Sequence, residues 1–248
     1  MERFLESFKG AFDELCLVRA IGNQTHDRSL YIAKDWCRKQ GKAFSGGVYE
    51  NRTERPAVLG TVEEDNPASW PHVDDFAAAR NLAWNMATCQ WQIWADVDDL
   101  LSPATADQPG GSELIRLCAE AGTHDQFFFK YDLRGQAESN IRERLFRTGI
   151  SNWVQPVHEQ CRLNDDVTAR TDRNGKVTPY RALIEERVVY EHAPTGEKKR
   201  DPMRNRRIME FHTRYIHAYS FELHREWFYD WQMFNAKRKA GIEGADKQ

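Results

Sequence analysis

Three carboxylates crowd into four residues at Asp96-Val97-Asp98-Asp99. They follow Trp91-Gln92-Ile93-Trp94-Ala95, an apolar run with the length and composition of a strand. Like charges this close repel unless a cation lies between them, and hard divalent cations take oxygen ligands. Asp96 and Asp98 are two apart, so in extended backbone they share a side. A cation bound there can hold a diphosphate through shared oxygens and neutralise it as it departs. The same residues also fit a solvated turn with a helix cap. Their place after a buried-type strand favours a ligand site, because α/β sheets bind ligands at the carboxyl ends of their strands.

The elements that must position this cluster read as an α/β fold. Residues 2–12 set Phe4, Leu5, Phe8 and Phe12 on one helical face, and residues 14–18 read as a short buried strand. A helix is expected over Ser29–Gln40, stopped by Gly41. Residues 41–73 read as irregular, with a strand at 57–62. A strong helix begins at Asp74 or Asp75, either of which can cap it. Further on, a helix is expected at 112–121 and strands at 127–131, 144–147, 153–159 and 183–192. From about residue 202 the pattern is helical, with Trp227, Phe228, Trp231 and Phe234 forming one apolar stripe. The organisation expected is a catalytic unit over 1–197 and a helical extension over 198–248 packed on it. That stripe is also a candidate surface for pairing with a second copy. An α/β rhythm calls for a strand before the first helix, and none is visible there.

Bulk composition narrows the classes. Hydrophobic residues make up 40% of 248 and aromatics 12%, enough for a large packed core. The formal net charge of −3 does not suggest a nucleic-acid binder. One local run does, residues 198–207 (Lys-Lys-Arg-Asp-Pro-Met-Arg-Asn-Arg-Arg), although such runs are usually solvated helix faces. The five cysteines are scattered, with no C-x-x-C pair, which argues against a disulfide framework or a thiolate zinc site. No apolar stretch has membrane-spanning length and no signal peptide is visible, so a cytoplasmic location is expected.

Several segments, taken in order, carry a family resemblance. Asp75-Phe-Ala-Ala-Ala-Arg80-Asn81 is followed by the strand and acid cluster at 91–99. Arg144-Leu-Phe-Arg147 is followed by Trp153 and then Val157-His158-Glu159. Glu191-His192 is followed by Arg204-Asn205, and the opening carries Phe4-Leu-Glu-Ser, Asp13-Glu14 and Ile32-Ala33-Lys34. Together they resemble family 2 glycosyltransferases of the GT-A fold, over about residues 2–210. The fold this implies is a Rossmann-like mixed sheet flanked by helices, with C-terminal helices.

The resemblance implies a nucleotide-diphosphate sugar donor, a hydroxyl acceptor and Mn2+ or Mg2+ as cofactor. It places Asp96 near the ribose and diphosphate, Asp98 as the main metal ligand, Asp99 in support and His192 as a further ligand. Arg80 would reach the diphosphate as a fork donor, with Asn81 beside it. Glu159 would be the base that takes the acceptor proton in an inverting transfer. Trp153 and His158 would support it or face the acceptor. Structural alternatives stand beside these roles: Glu159 paired with Arg144 or Arg147, Arg80 paired with Asp74 or Asp75, and His192 as a packed residue. The missing first strand departs from the family pattern. So does Arg19-Ala20, where many members have an acid that reads the base; the nearest acid here is Asp27. These departures keep open a degenerate sugar-nucleotide or partner-binding protein; the basic run at 198–207 keeps open a transferase acting on modified nucleic-acid bases, and the strand-end acid cluster a metal-dependent phosphohydrolase.

Overall fold

The apolar run at residues 15–18 forms β1 (Glu14–Arg19), preceded by a short helix α1 (Glu2–Ser7). The computed structural model describes residues 1–23, 27–52, 66–102, 110–133, 140–164, 167, 181–194 and 204–215. The strand expected at 57–62 and the aromatic stripe beyond residue 215 lie outside them. After β1 the chain rises through α2 (Ser29–Gln40), which ends on Gly41 in the left-handed region at φ 66°. It returns as β2 (Ala43–Val48), parallel to β1, a strand within the stretch read as irregular. The pair Gly46-Gly47 hid it, since glycine is poor strand material. At Gly47 a Cβ would meet the methyl of Met86, just past the end of the next helix, at 3.0 Å, so the missing side chain lets that helix end pack close.

That helix, α3 (Phe76–Trp84), is capped by Asp75, whose side chain accepts from the Ala78 amide at 2.9 Å. Beyond it lie β3 (Trp91–Ile93), β4 (Asp99–Leu101), α4 (Gly110–Glu120), β5 (Gln126–Leu133) and β6 (Asn140–Arg147). A small hairpin, β7 (Ser151–Val154) and β8 (Gln160–Leu163), precedes β9 (Ala182–His192) and the helix α5 (Arg204–Tyr215). The main sheet has the order β3-β6-β5-β9-β4 and is mixed: β5 runs antiparallel to β6 and parallel to β9. The chain is therefore an α/β protein with a mixed sheet flanked by helices.

Adjacent residues of β6 serve two cores. Leu145 packs with Phe8, Leu114, Phe127 and Val188, under α1 and α4. Phe146 packs with Ala77, Trp84, Trp94 and Trp153, under α3. This is the side-to-side alternation of a strand buried on both faces.

The α5 helix sits on a third cluster, with Ile208, Met209 and Phe211 buried against Trp70 and Val157. Three arginines of the basic run belong to α5, and two of them, Arg204 and Arg207, turn to the protein. Arg204 lies 5.0 Å from the Phe76 ring centroid, Arg206 pairs with Glu210, and Arg207 approaches His72. His212 is buried and its Nε2 donates to the Asp74 carbonyl at 2.9 Å, with the Asp75 carboxylate 3.8 Å away. Burial holds its pKa below the ordinary histidine value, against the pull of Asp75. A depressed histidine pKa means that the unfolded chain takes up the proton first. Stability is therefore intact above pH ~6.5 and is lost as pH falls from there through the folded value. Thermal unfolding between pH 7.5 and 5.5 should show this loss, and His212→Asn should flatten the slope. An unchanged slope would remove His212 from the account. Among the described residues no helix is long and apolar enough to cross a membrane.

Candidate functional site

The acid cluster is a turn, and this corrects the expectation of extended backbone. The Asp99 amide donates to the Asp96 carbonyl at 2.8 Å, closing a tight reversal from β3 into β4 with Val97 exposed at its tip. In extended chain Asp96 and Asp98 would share a side; the turn sends the three carboxylates to different partners.

Asp99 goes inward. It is fully buried and forms an ion pair with Arg144, itself 1% exposed, through Nη1 to Oδ2 at 3.0 Å. Its Oδ1 accepts from the Tyr131 hydroxyl at 2.9 Å and its Oδ2 from the Asp96 amide at 3.1 Å. Arg144 is boxed by aromatic rings, with Trp94, Tyr131 and Tyr190 centroids at 3.7, 4.6 and 4.5 Å. Burial and the Asp99 charge push the Tyr131 hydroxyl above its ordinary pKa, so it stays a donor. Asp99 is thus the anchor of the turn.

Asp98 stands beside His192. The β4–β9 pairing sets Asp99 opposite His192, and the Ala193 amide donates to the Asp98 carbonyl at 2.8 Å. Asp98, Asp99 and His192 each bring one ligand atom within 4.8 Å of the others. His192 Nδ1 is buried, makes no hydrogen bond, and lies 3.5 Å from Asp99 Oδ1. A buried ring nitrogen left without a partner beside carboxylates fits a cation ligand. The donor set is two carboxylates and one imidazole, which suits a divalent metal.

Asp96 turns to Arg80 on α3. Arg80 Nη2 donates to Asp96 Oδ1 and its Nε to Glu159 Oε1, both at 2.9 Å. The Trp94 and Trp153 ring centroids lie 5.0 and 4.7 Å from its guanidinium. Burial opposes the charge on Arg80, but the Asp96 and Glu159 carboxylates outweigh it and hold its pKa above the ordinary value. It is a fixed cation between the acid turn and Glu159.

Neither alternative pairing raised from sequence occurs. Arg144 pairs with Asp99, and Arg147 with Asp125 and the carbonyls of His124 and Gly122. Asp74 and Asp75 are taken by Arg52. Asn81 holds the hairpin in place: its amide donates to the Trp153 carbonyl and accepts from the Trp153 amide, both at 2.8 Å. That is a strand-like tie between α3 and β7. Trp153 is buried in the core under α3, its ring 5.0 Å from Trp94, so it supports the site from below.

Glu159 follows a turn with two non-glycine residues at positive φ, Gln155 at 71° and His158 at 54°. Such backbone is uncommon outside glycine and clusters at functional sites. Glu159 and the exposed His158 line a polar cavity of about 540 Å³ together with Phe128, Arg142, Glu143 and Arg162. Sequence reasoning missed the anchoring role of Arg144 and Tyr131. An arginine between Glu143 and Leu145 in a strand facing three aromatic segments was the available signal.

The chain matches no protein-family model and no curated protein.

Proposed function

We propose that the chain is a metal-dependent glycosyltransferase of the GT-A type, transferring a sugar from a nucleotide diphosphate to an acceptor hydroxyl with inversion. One observation carries the reading. A three-residue ligand group (Asp98, Asp99 and His192) lies one turn away from a guanidinium that ties Asp96 to Glu159. Asp98 and His192 would hold the cation, with the anchored Asp99 behind them. When bound, it would supply charge neutralisation to the departing diphosphate. The imidazole nitrogen favours manganese over the harder magnesium.

Arg80 is the permanent cation at the joint of the site. A diphosphate would share or displace Asp96 at the Nη2 edge of Arg80, and a charge-assisted hydrogen bond there would stabilise the leaving group. Glu159 keeps Oε2 for the acceptor hydroxyl while Oε1 rests on Arg80, and the polar cavity beside it gives the acceptor room. Glu159 accepts the hydroxyl proton as that oxygen attacks the anomeric carbon.

Glu159→Gln keeps the shape and the hydrogen bond to Arg80 but cannot take a proton. It should leave donor binding unchanged and lower transfer by about 10²–10⁴-fold. Isothermal titration alongside a turnover assay checks both halves, and full retained turnover would eliminate the base.

A further inference from the structure

The polar cavity beside Glu159 carries one arginine that no contact of the fold uses up. Arg142 stands on β6, lines this cavity, and has a side chain 38% exposed. Two neighbours fix its guanidinium. The Trp94 ring centroid lies 5.4 Å from it, and Glu143 Oε2 approaches from its Nε side at 3.6 Å. That distance is beyond a hydrogen bond, and the Arg142 side chain makes none with the described residues. Arg144 on the same strand is the contrast, since it donates to the Trp94 carbonyl and to Asp99. A planar guanidinium fork left open in this way matches a carboxylate or a phosphate, which it can take with two parallel hydrogen bonds.

The fork lies close to Glu159. Arg80, which holds Glu159 Oε1, sits 5.0 Å from the same Trp94 ring, so the two guanidinium groups share one support. Arg142 and Glu159 also line the same cavity, and Arg162 on β8 brings a second guanidinium to its walls. The Glu159 charge is met by Arg80, so an anion held at Arg142 does not face a bare carboxylate there. The rest of the lining suits a hydroxylated ring. Gln126, Gln160 and Glu143 offer amide and carboxylate partners for hydroxyls, and Phe128 offers an apolar face.

We propose that Arg142 is the specificity residue for an acidic acceptor, a hydroxylated ring that carries a carboxylate or a phosphate close to its attacking hydroxyl. A neutral acceptor would occupy the cavity and leave this fork to water. The inference rests on the sugar-transfer reading for the role of the occupant. The anion subsite itself uses Arg142 and its surroundings, and none of the acid-turn residues.

The test is isothermal titration of the full chain, without donor or metal. A methyl glucoside is compared with its two acidic forms, the uronic acid and the phosphate ester made at its primary hydroxyl. At least one acidic form should bind about tenfold or more tighter than the neutral glucoside, and the tighter of the two tells carboxylate from phosphate. Arg142→Met should bring the acidic forms down to the neutral level. Arg142→Lys keeps the charge and loses the fork, so its preference should fall between. Asp98→Ala should keep the full preference, which separates this subsite from the acid turn. Equal binding of all three glycosides, or no binding of any at millimolar concentration, would overturn the proposal. So would a preference that survives Arg142→Met or disappears in Asp98→Ala. Failure of every nucleotide to bind with manganese would instead sink the transferase reading and leave this preference standing.

Discussion

Replacing Arg144 with methionine should lower stability by about 3–5 kcal/mol, the cost of leaving a buried charge without its partner. Asp99 is fully buried, and its remaining donors, the Tyr131 hydroxyl and the Asp96 amide, carry no full positive charge. For a chain of this size the loss corresponds to a fall of about 6–20 °C in unfolding temperature. The double variant Arg144→Met with Asp99→Asn removes both charges and leaves Tyr131 a neutral acceptor. It should recover a large part of the loss, because replacing both partners of a buried pair is far cheaper than replacing one. Thermal unfolding of the two variants gives the answer. A single variant as stable as the wild type would mean that Asp99 is protonated or solvated, and the anchored turn would lose its foundation.

The second large effect is functional. Asp98→Ala should reduce manganese-dependent binding of the donor nucleotide by about 100-fold or more, beyond the 10–100-fold typical of losing a mere supporting contact. Its effect on folding should stay within about 1 kcal/mol, because the turn rests on Asp99 and on the backbone bond from Ala193 to the Asp98 carbonyl. His192→Gln should weaken the metal in the same direction while keeping the strand register. A parallel fall in melting temperature and binding for Asp98→Ala would make it a structural cap instead.

Local signals in the sequence were a good guide where structure is local. The α2 helix ends on Gly41 as its sequence reads, and Asp75 caps α3 as one of two candidates. The strand after α3 does lead into the acid cluster. What escaped is non-local. β2 hides behind Gly46-Gly47 and gains its identity only by lying beside β1. β4 is three residues long and exists because β9 pairs with it. In the site, Asp98, Glu159 and Arg80 are readable as chemistry, but their partners are set by sheet order. Arg144 is 45 residues from Asp99 and Arg80 is 79 from Glu159, so pairing by sequence proximity chose other partners. Trp153, which reads as a support or an acceptor contact, and Asn81, which reads toward the diphosphate, join α3 to β7 through backbone and amide groups.

The central claim is a manganese-dependent nucleotide-diphosphate site at the acid turn. The most direct measurement is thermal unfolding of the full chain with a panel of nucleoside diphosphates, each with and without manganese. A ligand that binds only the folded state raises its stability by about 2.7 kcal/mol at a hundredfold excess over its Kd. The account predicts a rise with one nucleotide, present only with manganese and absent in Asp98→Ala. No rise with any nucleotide, or a rise that ignores manganese and Asp98, would contradict it.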